Sequence, residues 1–221
     1  MSKTVVVTGA NRGIGLALAQ QFAERGDRVI GVCRKSSEAL EATGARVEAG
    51  VDVTDQAAVQ ALAQRLRDER IDILVANAGI LERDSLDPLD IDAIRRQFEV
   101  NTLGPLIVVR ALRDSLTSGA KVGLMTSRMG SMQDNTSGGY YGYRASKAAL
   151  NAIGKSLSLD LSARGVSVVL LHPGYVATEM VGGSGDVTPE EAATQLIARI
   201  DALTPEQSGT FQHANGTALP W

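Results

Sequence analysis

Short apolar runs alternate along this chain with longer stretches in which apolar residues return every three or four positions. Thr4 to Val7 is a β-branched run suited to a strand buried on both faces. Leu16, Ala19, Phe22 and Ala23 then space out as one face of a helix, which Gly26-Asp27 closes. The same alternation predicts strands at Arg28 to Val32, Arg46 to Val51, Ile71 to Val75, Lys121 to Met125 and Ser167 to Leu171, and a last short one at Gly209 to Gln212. Helices are expected at Ser36 to Glu41, from the Thr54-Asp55 cap to about Glu69, and over Ile91 to Leu112. Two more are expected from about Gly142 to Ala163 and from Thr188-Pro189-Glu190-Glu191 to about Leu203. This alternation implies a doubly wound α/β fold, with a mostly parallel seven-stranded sheet and helices on both faces, as one domain spanning 1–221.

Some stretches break the pattern. Leu81 to Asp90 is acidic and loop-like. Asn101-Thr102-Leu103-Gly104-Pro105 interrupts an otherwise apolar helix, and such a break frees main-chain groups able to hold water. Gly182-Gly183-Ser184-Gly185 reads as a flexible lid or substrate loop, and Pro220-Trp221 as a seal on an apolar edge.

Composition excludes more than it selects. A net charge of -3 and few aromatic residues do not make a nucleic-acid surface. No apolar run approaches a membrane span, and Met1 leads straight into a strand, so a soluble, cytoplasmic protein is expected. One cysteine and two histidines leave little from which to build a disulfide or a metal site, and none is expected.

The chemistry-bearing residues fall at the ends of the expected strands. After the first comes Thr8-Gly9-Ala10-Asn11-Arg12-Gly13-Ile14-Gly15. Between strand and helix, such a turn lets a pyrophosphate approach the backbone and meet the free N–H groups of the helix, making the fold Rossmann-type; a tight connection with no ligand is the plainer alternative. The second strand ends in Cys33-Arg34-Lys35, with bases where an NAD-selective site usually presents a carboxylate. Arg34 and Arg12 make a plausible clamp for a 2′-phosphate, predicting NADP(H) in preference to NAD(H); two solvated charges are the alternative. Asp52 at the third strand's end is placed to accept from an adenine amino group with Val53 on the ring, though capping and turn formation compete for it. Asn77, Ala78 and Gly79 close the fourth strand, small enough for ribose and phosphates to lie along it.

The fifth strand delivers Ser127, and sixteen residues on come Tyr143 and Lys147, one helical turn apart. A cation beside a phenol lowers its pKa toward neutrality, giving a proton donor and acceptor. On spacing alone, an ordinary tyrosine and a solvated lysine is the commoner outcome.

Taken together, the glycine turn, Asp52-Val53, Asn77-Ala78-Gly79, Asn101, Ser127, Tyr143-x-x-x-Lys147 and Pro173-Gly174 resemble the short-chain dehydrogenase/reductase family over nearly the whole chain. The run from Gly138 to Lys147 and the Pro-Trp terminus are similar to the C-factor/sniffer-type carbonyl reductases. The resemblance implies an NADP-dependent oxidoreductase acting on a small carbonyl or alcohol compound. Tyr143 is then the acid and base, Ser127 the group holding the substrate oxygen, Lys147 the residue that tunes the phenol and binds ribose, and Asn101 the holder of a relay water. Pro173, Gly174, Val176 and Thr178 would complete the cofactor site, and a homodimer or homotetramer is implied, with a monomer as the alternative. The long spacing from Ser127 to Tyr143 leaves Ser131 as an alternative serine. The short segment after Thr178 suggests an open pocket. A regulatory protein with little turnover and an NAD-dependent alcohol dehydrogenase are the rival readings.

Overall fold

The computed structural model describes residues 2–221. Seven strands form one sheet: β1 (Thr4–Thr8), β2 (Arg28–Val32), β3 (Arg46–Glu48), β4 (Ile71–Ala76), β5 (Leu116–Met125), β6 (Ser167–His172) and β7 (Thr210–His213). Their order is β3-β2-β1-β4-β5-β6-β7, and every pairing is parallel. The sequence reverses direction between β1 and β4, which opens a crevice beyond their carboxyl ends.

The strands alternate between two cores because successive side chains point to opposite faces. Val6 of β1 faces the side covered by α3 (Gln56–Arg65), α5 (Gly104–Leu112) and α6 (Tyr141–Asp160), through residues such as Leu62, Val109 and Leu150. Val5 and Val7 face the other side, under α1 (Gly13–Glu24), α2 (Glu38–Ala42) and α7 (Pro189–Ala202), through Leu18, Phe22 and Leu196. Burial on both faces is why β1 reads as a continuous apolar run, not an alternating one.

Local chemistry sets the element ends. Asp55 caps α3 by accepting from Ala57 N and Ala58 N, at 2.8 and 3.1 Å. Thr188 and Glu191 close a reciprocal capping box on α7. Several boundaries differ from the sequence reading, among them α3, which ends at Arg65 and not near Glu69. β3 stops at Glu48, where the ladder to β2 ends. β5 starts at Leu116, five residues early, because Leu116 pairs with Ile71 before a register shift. The interrupted helix resolves into α4 (Ile91–Phe98), a π-helical turn over Glu99–Leu103, and α5. Pro105 lacks an N–H, and the wider turn accommodates that loss without breaking the rod.

The glycine-rich segment after Thr178 is a compact loop closed by its own main-chain hydrogen bonds. Ala177 N donates to Val187 O (2.9 Å), Asp186 N to Tyr175 O (2.8 Å) and Gly183 N to Thr178 O (2.8 Å). Trp221 stacks on Phe211 at 5.7 Å and stays partly exposed, while its carbonyl accepts from Ser131 Oγ (3.1 Å) and Gln133 N (3.2 Å). Its second role is therefore to pin the loop that follows β5. Among the described residues no helix is long and apolar enough to cross a membrane.

Candidate active site

A cavity of about 880 Å³ opens at the carboxyl edge of the sheet, over the switch point between β1 and β4. Every residue expected at a cofactor site from the sequence lines it, from Gly9 through Thr178. Of the four expected catalytic residues, Ser127, Tyr143 and Lys147 line it as well. Asn101 does not; it is fully buried one layer behind.

At the β1 end the glycine turn is shaped by close approaches. Gly9 and Gly13 have φ of 67° and 53°, the left-handed region that favours glycine. A Cβ on Gly15 would overlap the Gly9 carbonyl oxygen and lie 2.6 Å from Asn77 Nδ2. Asn77 Nδ2 donates to Thr8 O at 3.0 Å, and Thr8 Oγ1 accepts from the main-chain N–H of both Asn77 and Ala78 at 3.0 Å. Helix α1 begins without a side-chain cap and without an acid in its first turn. Its free N–H groups face the cavity mouth, as an anionic pyrophosphate requires.

The two arginines expected to form one clamp are turned to different acids. Arg12 pairs with Glu179 at 2.5 Å, and Arg34 Nη1 lies 3.9 Å from Asp52 Oδ2. Both guanidiniums are mostly exposed, so these pairs cost little to exchange for a phosphate. Asp52 is held in a turn: its Oδ1 accepts from Thr54 N (2.9 Å) and Thr54 Oγ1 (2.7 Å). These bonds, with Arg34, hold its carboxyl below the usual range despite some burial. The turn has taken one carboxylate oxygen and leaves the other toward the cavity.

At the β5 end, Tyr143 and Ser127 line the cavity together, the serine hydroxyl close enough to draw the phenol's pKa down a little. Ser127 Oγ accepts from Met129 N at 3.2 Å. Gly130 allows this turn to seat on α6, since a Cβ there would come within 2.7 Å of the Lys147 backbone. Ser131 is spent on Trp221 and on Asp134 N, and it lies outside the cavity. The serine beside the tyrosine is therefore Ser127.

The expected lowering of the phenol is not seen. Burial pushes the Tyr143 pKa up to about 12, with the Ser127 hydroxyl pulling weakly the other way. Lys147 Nζ lies 5.7 Å from the tyrosine ring centroid and donates instead to Met125 O at 2.8 Å. Burial without a carboxylate partner lowers its pKa from 10.5 to about 8. The spacing of four residues puts both groups on one face, but not hydroxyl against ammonium.

Asn101 is bonded to its neighbours through both ends of its amide. Its Oδ1 accepts from Ile80 N (2.8 Å), and its Nδ2 donates to Ile80 O (2.9 Å) and Ser146 Oγ (3.1 Å). The side chain thus clamps the segment after β4 to α6.

The sequence reading missed several residues. Asp84 Oδ2 accepts from Gly142 N (3.0 Å) and Gln97 Nε2 (3.3 Å), and its carbonyl accepts from Tyr140 N (3.2 Å). This carboxylate sits at the N-terminus of α6, on the N–H of the residue just before Tyr143, where the helix dipole favours it. Tyr140, with φ of 51°, is the only non-glycine residue in the left-handed region among those described. No sequence signal links an acid in a loop to a helix start nearly sixty residues away. Arg144 also lines the cavity, and helical spacing with Tyr140 and Lys147 was a usable signal for it. His172 completes the wall, meeting His213 edge to face at 4.9 Å; burial, then His213 and Arg128, lower its pKa to about 4.

A parallel doubly wound sheet with a glycine turn after the first strand, and a serine and a tyrosine together at the cavity beside the fifth, defines a Rossmann-type α/β protein. The short chain dehydrogenase family model matches residues 3–202, and the chain belongs to that oxidoreductase family. It is similar to 1-hydroxy-2-glutathionyl-2-methyl-3-butene dehydrogenase of Rhodococcus sp. (strain AD45), with 51% identity over 224 residues covering 99% of each chain. It is also 43% identical over 154 residues to C-signal of Myxococcus xanthus, covering 68% of this chain and 93% of the relative. Among solved structures, the NADPH-bound carbonyl reductase from chicken fatty liver matches with a TM-score of 0.90 and 28% identity, over 100% of this chain and 99% of the other.

Proposed function

We propose that this protein is an NADP(H)-dependent oxidoreductase interconverting a ketone or aldehyde and the corresponding alcohol, with Tyr143 as the general acid and base. The observation that carries this reading is the meeting of Tyr143, Ser127 and Lys147 in the cavity that also receives the uncapped N-terminus of α1. In this reading Gly9, Asn11, Gly13, Ile14 and Gly15 hold the pyrophosphate, while Arg12 and Arg34 hold the 2′-phosphate. Asp52 and Val53 flank the adenine, Asn77, Ala78 and Gly79 the riboses, and Pro173, Gly174, Val176 and Thr178 the nicotinamide end. The bound nicotinamide supplies or accepts the hydride.

The chain's own residues manage the oxygen and its proton. With its pKa near 12 the phenol is protonated at neutral pH, so Tyr143 is a proton donor to a carbonyl oxygen. Ser127 donates to the same oxygen and stabilises the charge that develops on it. Lys147, fully buried and titrating near 8, is poised to return a proton to the phenol and to bind ribose hydroxyls. Exclusion of water by the buried walls strengthens each of these contacts.

NADPH consumption against a panel of aldehydes, ketones, diketones and quinones, with NADH in parallel, tests this reading. Oxidation of NADPH with at least one carbonyl class, at a higher kcat/KM than with NADH, is expected; no oxidation of either nucleotide across the panel would sink it. The likeness to C-signal favours a second reading, a nucleotide-binding regulator with little turnover, and the same assay separates the two.

A further inference from the structure

The charges around the cavity are unevenly matched. Each of its three acids already has a cation: Glu179 has Arg12 at 2.5 Å, Asp52 has Arg34 at 3.9 Å, and Asp134 has Arg128 at 2.7 Å. Two further guanidiniums on the wall, Arg83 and Arg144, have no carboxylate within 4.0 Å among the described residues. Neither is near the end of β2, where a 2′-phosphate would lie. Arg144 follows Tyr143 on α6, and Arg83 precedes Asp84, whose carboxylate and carbonyl bind the start of that helix. Both therefore belong to the catalytic end.

Arg144 is half-buried, and neutral groups alone hold it. Its Nε donates to Gly139 O (3.1 Å), Nη1 to Met129 O (3.5 Å) and Nη2 to Ser137 Oγ (2.9 Å). An arginine has five N–H donors, so two remain. A loop strut needs the hydrogen bonds and not the charge; a partly desolvated guanidinium without a counterion is unfavourable unless a ligand supplies one. The helix N-terminus at this end is no rival site, because Asp84 already sits there. What is left for an anion is a pair of planar guanidinium forks, which match a carboxylate.

We propose that the substrate is a carbonyl or alcohol compound bearing a carboxylate, held by Arg144 with Arg83 at the rim. This rests on the oxidoreductase reading for its chemistry but not for its binding.

Two aldehyde pairs of different reach test it: 4-carboxybenzaldehyde and 4-oxobutanoate, each beside its methyl ester, with NADPH. The acid-to-ester ratio of kcat/KM is expected to be about tenfold or more in the wild type for at least one pair. It should fall as ionic strength rises from about 0.05 to 0.5 M. Arg144→Gln should bring the ratio close to one, Arg83→Ala should lower it in part, and Arg144→Lys should retain some of it. Because the ratio is taken within one protein, a general loss of activity in a variant cancels. Calorimetric titration with benzoate and benzamide, in the presence of NADP⁺, reads the anion site without turnover. Benzoate preference lost in Arg144→Gln, with no turnover of any aldehyde, would uphold the anion site and remove the oxidoreductase reading. Equal turnover of acids and esters by the wild type would overturn the anion site and leave that reading standing. A wild-type preference unmoved by Arg144→Gln and Arg83→Ala would likewise overturn it.

Discussion

The two ends of the cavity are built on different principles. The glycine turn between β1 and α1 is made by contiguous residues, Gly9 to Gly15, and owes its shape to backbone approach. Its distant partners mostly meet its main chain: Asn77, just after β4, donates to Gly9 O, Val32 O accepts from Gly9 N at 2.8 Å, and Ser37 Oγ donates to Asn11 O at 2.8 Å. The catalytic end draws on β4, the loop after it, the π turn, β5 and α6, and is held by buried side chains such as Asn101 and Asp84. A site made of backbone tolerates almost no change of residue at its glycines, whereas a site made of side chains depends on the burial that tunes them. Burial pushes the Tyr143 and Lys147 pKa values apart, up to about 12 and down to about 8, in a way no local motif encodes.

The largest expected effect falls on the catalytic end. Tyr143→Phe removes the proton donor and is expected to lower kcat by about 10²- to 10⁴-fold while NADPH still binds, as single-turnover kinetics and fluorescence titration will show. Near-normal turnover would take the phenol out of the mechanism.

The buried lysine gives the next effect, with a defined sign. Its folded pKa, about 8, lies below the 10.5 of an ordinary lysine, so between those values the unfolded chain binds more protons than the folded one. Stability at this site therefore rises as pH increases from about 8 to 10.5 and is lost as pH falls through 8. The full span is on the order of 3 kcal/mol. Denaturant titrations across this window should show a shallower rise in Lys147→Met than in the wild type; parallel curves would mean that the ammonium is not desolvated in the folded state.

The glycine turn answers with a packing penalty. Gly15→Ala places a methyl against the Gly9 carbonyl and Asn77, and is expected to cost about 1–3 kcal/mol of stability together with nucleotide affinity. A variant with an unchanged midpoint would show that the strand and helix can separate without cost. The smallest effect is at the exposed rim. Arg34→Ala should weaken NADPH about tenfold and NADH little, measured by direct titration. Equal losses for both nucleotides would remove the phosphate contact.

Much of this was legible from residue order. Continuous β-branched runs alternating with three- and four-residue spacing gave the sheet and its helices, since burial on both faces of a parallel strand leaves no other pattern. The three glycines before a helix were legible for the same reason, that the chemistry they serve is local. The boundaries that moved did so through pairing: β5 begins early because a neighbouring strand is there to receive Leu116.

The sequence by itself determined the fold class, the glycine turn between the first strand and helix, and which tyrosine has a lysine one turn beyond it. Tertiary structure alone decided that Ser127, not Ser131, meets that tyrosine, because Ser131 is drawn to the carbonyl of Trp221 ninety residues away. It also decided that Lys147 rests on Met125, that Asn101 is a clamp, and that Asp84 seats the helix of Tyr143. The physical reason is common to all four. Backbone geometry and hydrophobic period are short-range properties written in neighbouring residues, whereas desolvation and the choice among competing hydrogen-bond partners depend on what the fold brings alongside.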